Sequence, residues 1–451
     1  MDLSDLLTRT EGKTLEFKRD LSSPRGVLRS LVAFANTAGG VLVIGVEDGT
    51  RHVRGVPDAF DLEERLANLV SDTIAPRIVP DIGIVPWRGT QLVAVEVYPS
   101  PTRPHHVRQE GPDNGVYVRV GSTNRRADAD LIAEMRRYAQ GGSYDEQATP
   151  EYGAGAIDLP AVAEAYSGIR KIASADLETL RVVTPHQGRL VPTVGGLLLF
   201  GRDQERLQLF PDAWIQAGRF LGTDKSLIVD QAEIRTNLVH AVEDALDFVR
   251  KHSLHGADIG PVRRADRWNL PPVAVREAIV NAVAHADYRQ HGAPIRIAVF
   301  DDRLEVENPG LLQFGLTVDD IRRGVSKLRN RVIGRVFHSL RLIEQWGSGI
   351  QRMTTACLDA GLPPPDLEEI GARFRVTLWT QGAQLPALDA RDRAILAAVP
   401  TRGAPTTAIA EAIGLSTRAT RTRLLRLVDR GVLREVGSGP RDPQRRYFRA
   451  L

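Results

Sequence analysis

The stretch REAIVNAVAHADY, residues 276–288, decides how the central part of this chain folds. Two prolines precede it at positions 271 and 272, and proline favours the first turn of a helix. Apolar residues then recur with a helical period. Glu277, Asn281 and His285 are spaced by four, so they share one polar stripe of the predicted helix. That stripe can supply a general base, Glu277, and an oxygen ligand for Mg²⁺, Asn281; the alternative is a solvated helix face.

Two predicted strands and a glycine turn follow this helix. Alternating apolar side chains predict a strand over residues 294–300, and residues 303–307 continue as a second strand. Asn308-Pro309-Gly310 ends the second strand. Gly347 and Gly349 then open another predicted helix. Unpaired backbone N–H groups at such a helix start suit a phosphate.

This order of elements resembles the gyrase and histidine-kinase (GHKL) ATP-binding superfamily, in the form found in ATP-binding transcriptional regulators. The resemblance covers about residues 190–380 and includes PTVGGLLLFG at residues 192–201. It implies ATP and Mg²⁺ as ligands, with Glu277 as general base and Asn281 as metal ligand in the first box. It also implies nucleotide contacts from the second and third boxes, at Asp302, Gly310, Gly347 and Gly349.

The chain departs from that superfamily at two places. The usual Asp-x-Gly-x-Gly box is DRLEVENPG at residues 302–310, and the His-Arg-Asp-Tyr common in this variant is HADY at residues 285–288. Both departures favour nucleotide binding over hydrolysis, so we expect at most a weak ATPase.

Composition and charge narrow the classes of protein. The chain has 451 residues, enough for several domains, with 42% hydrophobic and 25% charged residues, as in soluble globular proteins. Its single cysteine, Cys357, excludes an internal disulfide and a multi-cysteine zinc site. No apolar run reaches the length of a membrane span, and the first residues lack the features of a signal peptide, so a cytoplasmic protein is expected.

Positive charge is concentrated near the C-terminus. The whole chain carries +3, whereas residues 389–451 contain 13 arginines against six acidic residues, a local charge of +7. A basic module of this kind indicates a polyanionic partner.

Residues 1–140 predict a first α/β domain. Helices are expected at residues 25–36, 62–74 and 128–138, and strands at residues 41–46, 91–98 and 115–120. The triplet Gly12-Lys13-Thr14 does not form a P-loop, because Leu7 stands where the preceding glycine is required.

Four segments of this region resemble the Schlafen AlbA-type domain: LEFK (15–18), AFANTAGG (33–40), VIGVEDG (43–49) and VYVRVGS (116–122). The resemblance implies nucleic-acid binding, and some members of the family cut RNA with three carboxylates. Glu11, Glu16 and Asp48 stand at the matching positions, where they could hold Mg²⁺ or Mn²⁺. In the alternative interpretation, Glu16 pairs with Lys18 and Asp48 only makes a turn.

Two linkers and a connector complete the central region. Residues 140–156 are rich in Gly, Ser and acidic residues and are predicted to be a linker, as are residues 380–388. Between them we expect a connector, residues 157–270, and the ATP-binding domain, residues 271–380. The connector should contain strands at residues 194–200 and 213–220 and a helix at residues 234–252. His252 and His255 form either a metal pair or, more simply, a solvated pair.

Residues 389–451 predict a winged helix-turn-helix: three helices, the third capped by Ser416, followed by two strands around GSGP at residues 437–440. The predicted DNA-binding residues lie on the third helix and the wing: Arg418, Thr420, Arg421, Arg423, Arg441, Arg445 and Arg446. The alternative is a protein-binding winged helix with a solvated basic face.

Taken together, the sequence predicts a multidomain α/β (α+β) protein: a cytoplasmic, ATP-binding transcriptional regulator that binds double-stranded DNA as a homodimer. One rival function is a metal-dependent nuclease that uses Glu11, Glu16 and Asp48. Another is a scaffold whose nucleotide pocket serves only dimerisation.

Overall fold

The computed structural model describes residues 3–48, 51–259, 264–343, 347–380, 390–400, 403–429, 433–436 and 445–449. The chain divides into two units, Met1–Asp128 with Gln384–Leu451, and Ala129–Ala383. Both contain helices and strands, which confirms the predicted mixed α/β class. Within the described ranges, every helix is too short or too polar to span a bilayer.

The N-terminal part of the first unit is built on a four-stranded sheet. Its elements are α1 (Leu3–Thr8), β1 (Leu15–Lys18), α2 (Pro24–Asn36), β2 (Gly40–Ile44), α3 (Ala59–Thr73), β3 (Ile74–Ala75), β4 (Asp81–Trp87), β5 (Thr90–Val97), β6 (His106–Val107), α4 (Gly111–Asn114), β7 (Tyr117–Val120) and β8 (Thr123–Arg126). The sheet order is β1-β2-β5-β4, with β1 parallel to β2 and the other pairs antiparallel. Apolar residues of α2 and α3 form one core with β2 and β5.

The second unit is built on a six-stranded sheet. Its elements are α5 (Ala129–Ala139), α6 (Leu159–Ala165), α7 (Ser174–Thr179), β9 (Val183–His186), β10 (Arg189–Pro192), α8 (Val194–Phe200), α9 (Asp203–Leu209), β11 (Ile215–Phe220), β12 (Ile228–Ile234), α10 (Leu238–His252), β13 (Leu254–Ile259), β14 (Arg264–Trp268), α11 (Pro272–His285), β15 (Ile295–Val299), β16 (Arg303–Pro309), α12 (Val318–Arg322), α13 (Arg331–Ser339), α14 (Gly349–Asp359), β17 (Asp366–Ile370) and β18 (Arg373–Trp379). The sheet order is β12-β11-β15-β16-β18-β17; only β11 and β15 pair in parallel.

This sheet joins two regions that the sequence separated. Strands β11 and β12 come from the predicted connector, and β15 to β18 come from the predicted ATP-binding domain. One hydrophobic core runs through both regions, from Ala156 to Leu378. The predicted border between residues 270 and 271 therefore crosses a single unit. The first domain also ends earlier than predicted, since α5 belongs to the second unit.

Residues 194–200 form a helix, α8, and the predicted strand is wrong. All seven residues are buried, and a continuous apolar run does not by itself distinguish a buried helix from a buried strand. Thr193 decides for the helix, because its hydroxyl accepts a hydrogen bond from the backbone N–H of Gly196 at 2.9 Å. Gly196 is also required by packing, since a Cβ there would lie 2.0 Å from the carbonyl oxygen of Val182.

Residues 140–156 are a packed part of the second unit, contrary to the predicted linker. Asp145 is fully buried, and its carboxylate accepts hydrogen bonds from the backbone N–H groups of Arg331 (2.9 Å), Val332 (2.7 Å) and Ile333 (3.0 Å). The carboxylate therefore caps α13 from a distant part of the sequence. Burial raises the pKa of Asp145 to about 6, so the side chain is an anion at neutral pH.

The less favoured interpretation of His252 and His255, a metal pair at the end of α10, gains no support from the contact that His252 makes. His252 Nε2 lies 2.8 Å from a carboxylate oxygen of Asp230. The side chain of His255 is outside the described ones. The single cysteine, Cys357, is buried on α14 among the apolar residues of the core.

The C-terminal part of the first unit contains α15 (Ala390–Ala398), α16 (Thr406–Ile413), α17 (Thr417–Asp429), β19 (Leu433–Val436) and β20 (Arg446–Arg449). Strands β19 and β20 pair antiparallel. Gly414 ends α16 in the left-handed conformation (φ 68°), and the chain then turns towards α17. Ile395, Ile409, Leu424 and Tyr447 belong to one small core, which holds the helices and strands together.

We predict that Asp145→Ala lowers the free energy of unfolding of the protein by about 2–4 kcal/mol, because α13 loses its cap and buried N–H groups lose their acceptor. Thermal and urea unfolding measure the change. Glu151→Ala, in the same segment but exposed, is the matched control and should leave both transitions in place. Equal transitions for both variants would contradict this role of Asp145.

Candidate functional site

A cavity of about 360 Å³ lies beside α11 in the second unit. Its wall includes Glu277, Asn281 and His285, the three residues of the predicted polar stripe, and Gly347 and Gly349 at the start of α14. The structure therefore brings the predicted first and third boxes together at one cavity.

Helix α11 presents this stripe because its other sides are covered. Ala278, Ile279, Val280 and Val283 are buried in the core, and α11 packs against α10, α14 and β16. The cavity is thus where the helix can expose polar atoms. Glu277 is itself only 3% exposed, so its carboxylate is held in a largely desolvated place.

The glycines allow backbone to approach the stripe closely. A Cβ at Gly349 would lie 2.6 Å from Oε2 of Glu277 and 3.3 Å from Nδ2 of Asn281. Gly347 has a φ of +66°, and a Cβ there would lie 2.7 Å from the carbonyl oxygen of Gly324. A larger residue at either position would therefore collide with atoms that are already packed there. The first N–H groups of that 11-residue helix, which carry its positive dipole, border the cavity.

Arg352 forms an ion pair with Glu277 that the sequence analysis missed. Its Nη2 lies 2.7 Å from Oε1 of Glu277, and Nη1 of Arg276 lies 3.6 Å from the same oxygen. Arg352 stands three residues after Gly349, on the same face of α14. That spacing is visible in the sequence and predicts the contact. An arginine three residues after the first glycine of a helix lies on the same face as the glycine.

Further basic side chains line the cavity: Lys327, Arg329, Arg331 and Arg335. Arg329 pairs with Glu134 of α5 (2.5 Å), and Arg335 pairs with Glu146 (3.0 Å). Burial and the charge of Arg329 lower the pKa of His285 to about 4, so the imidazole is neutral at pH 7. The excess of cations around the cavity suits a polyanionic ligand.

Asp302 does not reach this cavity, contrary to the implied second box. It lies before the first residue of β16 and bonds to Arg303 at 2.9 Å, whereas Gly310 follows the last residue of the strand. The seven-residue strand between the two is about 23 Å long. Gly310 itself adopts a φ of +96° and packs against Asp287 and Arg329.

Asn308 is the polar residue that the second box contributes to the cavity wall. It is buried, and its Nδ2 donates to the carbonyl oxygen of Pro309 at 3.0 Å. The resemblance assigned both Asp302 and Gly310 to the second box, although Asp302 lies at the end of the strand away from the cavity. The Asn-Pro-Gly break was the better signal, since it marks the end at which the strand meets the cavity.

The three N-terminal carboxylates do not form a metal site. Glu16 is buried in ion pairs with Arg119 and with Lys18 (2.6 Å). Glu11 accepts a hydrogen bond from the backbone N–H of Phe17 at 2.6 Å. Burial raises the pKa of Glu11, and its neighbour Asp48 adds to the rise. Among the described residues, there is no cluster of three or more His, Cys, Asp or Glu side chains that could hold a metal ion. The rival nuclease function gains no support from this arrangement, because Glu16 is held in ion pairs.

The predicted DNA-binding residues fall into exposed and structural groups. Arg418 and Arg421 are exposed on α17, and Arg446 is exposed on β20. Arg445 pairs with Glu435 at 2.7 Å. Arg441 lies outside the described residues.

Two predicted contacts on α17 face the protein instead of a ligand. Thr420 is fully buried, because it shares the inward side of α17 with Leu424 and Leu427 at helical spacing. Arg423 pairs at 2.7 Å with Asp392, which is only 1% exposed and also pairs with Arg426 at 2.6 Å. These two positions are corrected from DNA contacts to structural residues.

Two family models match the chain. Residues 11–128 match the family described as "Schlafen, AlbA_2". Residues 292–378 match the family described as "Putative ATP-dependent DNA helicase recG C-terminal". The chain therefore combines an AlbA-type domain with an ATPase-like domain. The second match begins after α11, so it includes Asn308, Gly349 and Arg352 but neither Glu277 nor Asn281.

Two solved structures are similar to the chain. The crystal structure of the DIP2311 protein from Corynebacterium diphtheriae is 17% identical, with 99% of this chain and 98% of that chain covered and a TM-score of 0.46. The solution structure of the N-terminal domain of a "Putative ATP-dependent DNA Helicase RecG-related Protein" from Nitrosomonas europaea is 24% identical. The alignment covers 28% of this chain and 94% of that chain, with a TM-score of 0.23. No curated protein matches the chain significantly.

We predict that Arg423→Ala lowers the free energy of unfolding of the C-terminal region by about 1–3 kcal/mol, because it leaves the buried Asp392 with less compensating charge. Limited proteolysis followed by mass spectrometry measures the effect at this region. Arg418→Ala, an exposed arginine of the same helix, is the control and should leave the cleavage rate unchanged. If both variants were cleaved at the parental rate, the ion pair between Arg423 and Asp392 would not stabilise this region.

Proposed function

We propose that this protein is a transcriptional regulator that binds ATP in the central cavity and binds double-stranded DNA, with the nucleotide modulating its affinity for DNA. One observation carries the proposal. The polar stripe of α11 and the glycine-initiated helix α14 line the same cavity, which cations border. The match of residues 292–378 to an ATPase-like family supports the nucleotide as the ligand.

The residues at the cavity fit a nucleotide phosphate. Gly349 packs closely against Glu277 and Asn281, and these residues line one cavity, in which phosphate oxygens could meet the N–H groups of α14. A volume of about 360 Å³ is in the range of small-molecule sites. Mg²⁺, when bound with the nucleotide, would neutralise phosphate charge, and the amide oxygen of Asn281 is the group that would hold it.

Glu277 has the position of a general base, but its carboxylate is engaged by Arg352 at 2.7 Å. A base must be able to accept a proton from water, and an ion pair of this kind opposes that transfer. We therefore infer that ATP acts mainly as a sensed ligand and that hydrolysis is slow.

DNA binding is assigned to the C-terminal helices and strands, which we interpret as a winged helix with α17 as the recognition helix. Arg418 and Arg421 are exposed there, and the region carries a local charge of +7. The AlbA-type domain supplies a further nucleic-acid surface by its family match. A homodimer would place two such helices on a palindromic site, with half-sites about one helical turn or a multiple apart.

We predict that Asn281→Ala weakens binding of ATP–Mg²⁺ by about tenfold or more, because a metal ligand is lost. Gly349→Val should weaken it at least as much, because the side chain would collide with Glu277 and Asn281 and distort the cavity wall. Isothermal calorimetry measures both affinities, and the exposed Asn68→Ala of α3 serves as control. Parental affinity in both cavity variants would place nucleotide binding elsewhere.

We predict that Arg418→Ala and Arg421→Ala each weaken binding to duplex DNA and each reduce the slope of log affinity against log salt concentration by about 1, if each arginine neutralises one phosphate. Fluorescence anisotropy at several salt concentrations, with and without ATP–Mg²⁺, measures affinity and its modulation. Arg250→Ala removes the same charge from α10 and is the control. An affinity independent of salt would count against the proposal, as would one unchanged by nucleotide.

A further inference from the structure

We propose that Arg352 is the residue that distinguishes a nucleoside triphosphate from a diphosphate, by exchanging Glu277 for the terminal phosphate as its partner. This inference rests on the proposed nucleotide site. It adds a specificity-determining residue that neither family match assigns.

The position of Arg352 places it at the phosphate end of the cavity. It lies in the first turn of α14, three residues after Gly349, and both residues line the cavity wall. Its guanidinium contacts Glu277 at 2.7 Å, and Glu277 in turn lies against Gly349 in the wall of the cavity. An oxyanion that enters the cavity beside Gly349 would therefore lie close to both members of the ion pair.

The two members of the pair differ in freedom to move. The Glu277 side chain is 4% exposed, whereas the Arg352 side chain is 35% exposed. Glu277 is fixed on a helix that is buried on its other sides, while a long arginine side chain can rotate about several bonds. When an anion enters, the arginine is the partner that can turn towards it.

Charge gives the exchange its direction. A terminal phosphate next to Glu277 would place two anionic groups side by side, which is unfavourable in a poorly solvated cavity. Arg352 can relieve this repulsion, because its planar group of N–H donors can bind phosphate in a bidentate manner. A diphosphate ends one phosphate earlier, so it creates less repulsion and gains less from Arg352.

Other cations at the cavity have partners away from Glu277. Arg329 bonds to Glu134 and to the carbonyl oxygen of Leu311, and Lys327 donates to the carbonyl oxygen of Phe314 at 3.1 Å. Arg335 pairs with Glu146. Among these cavity cations, it is Arg352 that forms a short ion pair with Glu277 of the polar stripe. Arg352 is therefore the cation that a bound phosphate could draw away from Glu277.

Calorimetry with a non-hydrolysable ATP analogue and with ADP, both in the presence of Mg²⁺, tests the exchange. We expect Arg352→Gln to weaken binding of the analogue by about tenfold or more while changing ADP affinity by less than about threefold. Glu277→Gln should strengthen analogue binding by about threefold, because it removes both the competitor for Arg352 and the repelling charge. Arg250→Gln on α10 is the matched control.

The double variant Glu277→Gln/Arg352→Gln should bind the analogue more weakly than Glu277→Gln and slightly more tightly than Arg352→Gln, because the relief of repulsion remains while the contact from Arg352 is lost. A purely structural ion pair predicts the opposite pattern, with both single variants losing thermal stability and affinity for both nucleotides. Arg352→Lys keeps a cation and should recover part of the preference for triphosphate. Thermal unfolding of each variant confirms that it is folded.

Two failures are distinguishable. If the parent protein bound neither nucleotide, the nucleotide site itself would be overturned. If the parent bound both and Arg352→Gln weakened them equally, or if Glu277→Gln weakened analogue binding, only the role of Arg352 would be overturned.

Discussion

The burial of α11 is the constraint on which the second unit depends. The helix is covered by α10, α14 and the sheet, and nine of its residues are buried. A helix so enclosed can place polar groups only where the packing leaves a gap, and that gap is the cavity. The same burial explains why Glu277 needs a cation beside it, because an unpaired carboxylate at 3% exposure would be strongly destabilising.

Contacts between distant parts of the sequence complete the unit. Asp145 caps α13 across nearly 190 positions of the chain, and Asn330, next to that cap, donates from its Nδ2 to the carbonyl oxygens of Ala284 (3.0 Å) and Ala286 (2.8 Å) at the end of α11. The start of α13 and the end of α11 are thereby tied together. A segment of Gly, Ser and acidic residues can thus be an integral part of a core, and its composition alone does not reveal this.

The sequence predicted what depends on local spacing and missed what depends on long-range partners. The spacing of Glu277, Asn281 and His285 located the polar stripe, and Gly347 and Gly349 located the turn opposite it. Val194–Phe200 was assigned to a strand because a fully buried segment loses its periodic signal. Asp302 and Gly310 were joined by a motif, although a strand holds its two ends far apart.

The role of a charged residue depends on which partner the fold places beside it, and the sequence does not show that partner. The resemblance implies that Glu16 is a metal ligand, but in the structure it pairs with Arg119, about a hundred residues later in the chain. The helix pattern predicts that Arg423 contacts DNA, but in the structure it forms an ion pair with the buried Asp392. In both cases a buried opposite charge commits the side chain to the protein, since separating the pair would leave a desolvated ion.

The burial of Cys357 has a practical consequence for measurements on this protein. It is the single cysteine of the chain, and burial raises the pKa of its thiol to about 11. Thiol reagents attack the thiolate, so the native thiol is protected twice, by its protonation and by its inaccessibility. Cysteines introduced at exposed positions can therefore be labelled selectively with fluorophores or spin labels on the natural sequence background. Distances between the two units can then be followed by spectroscopy without first removing a native cysteine.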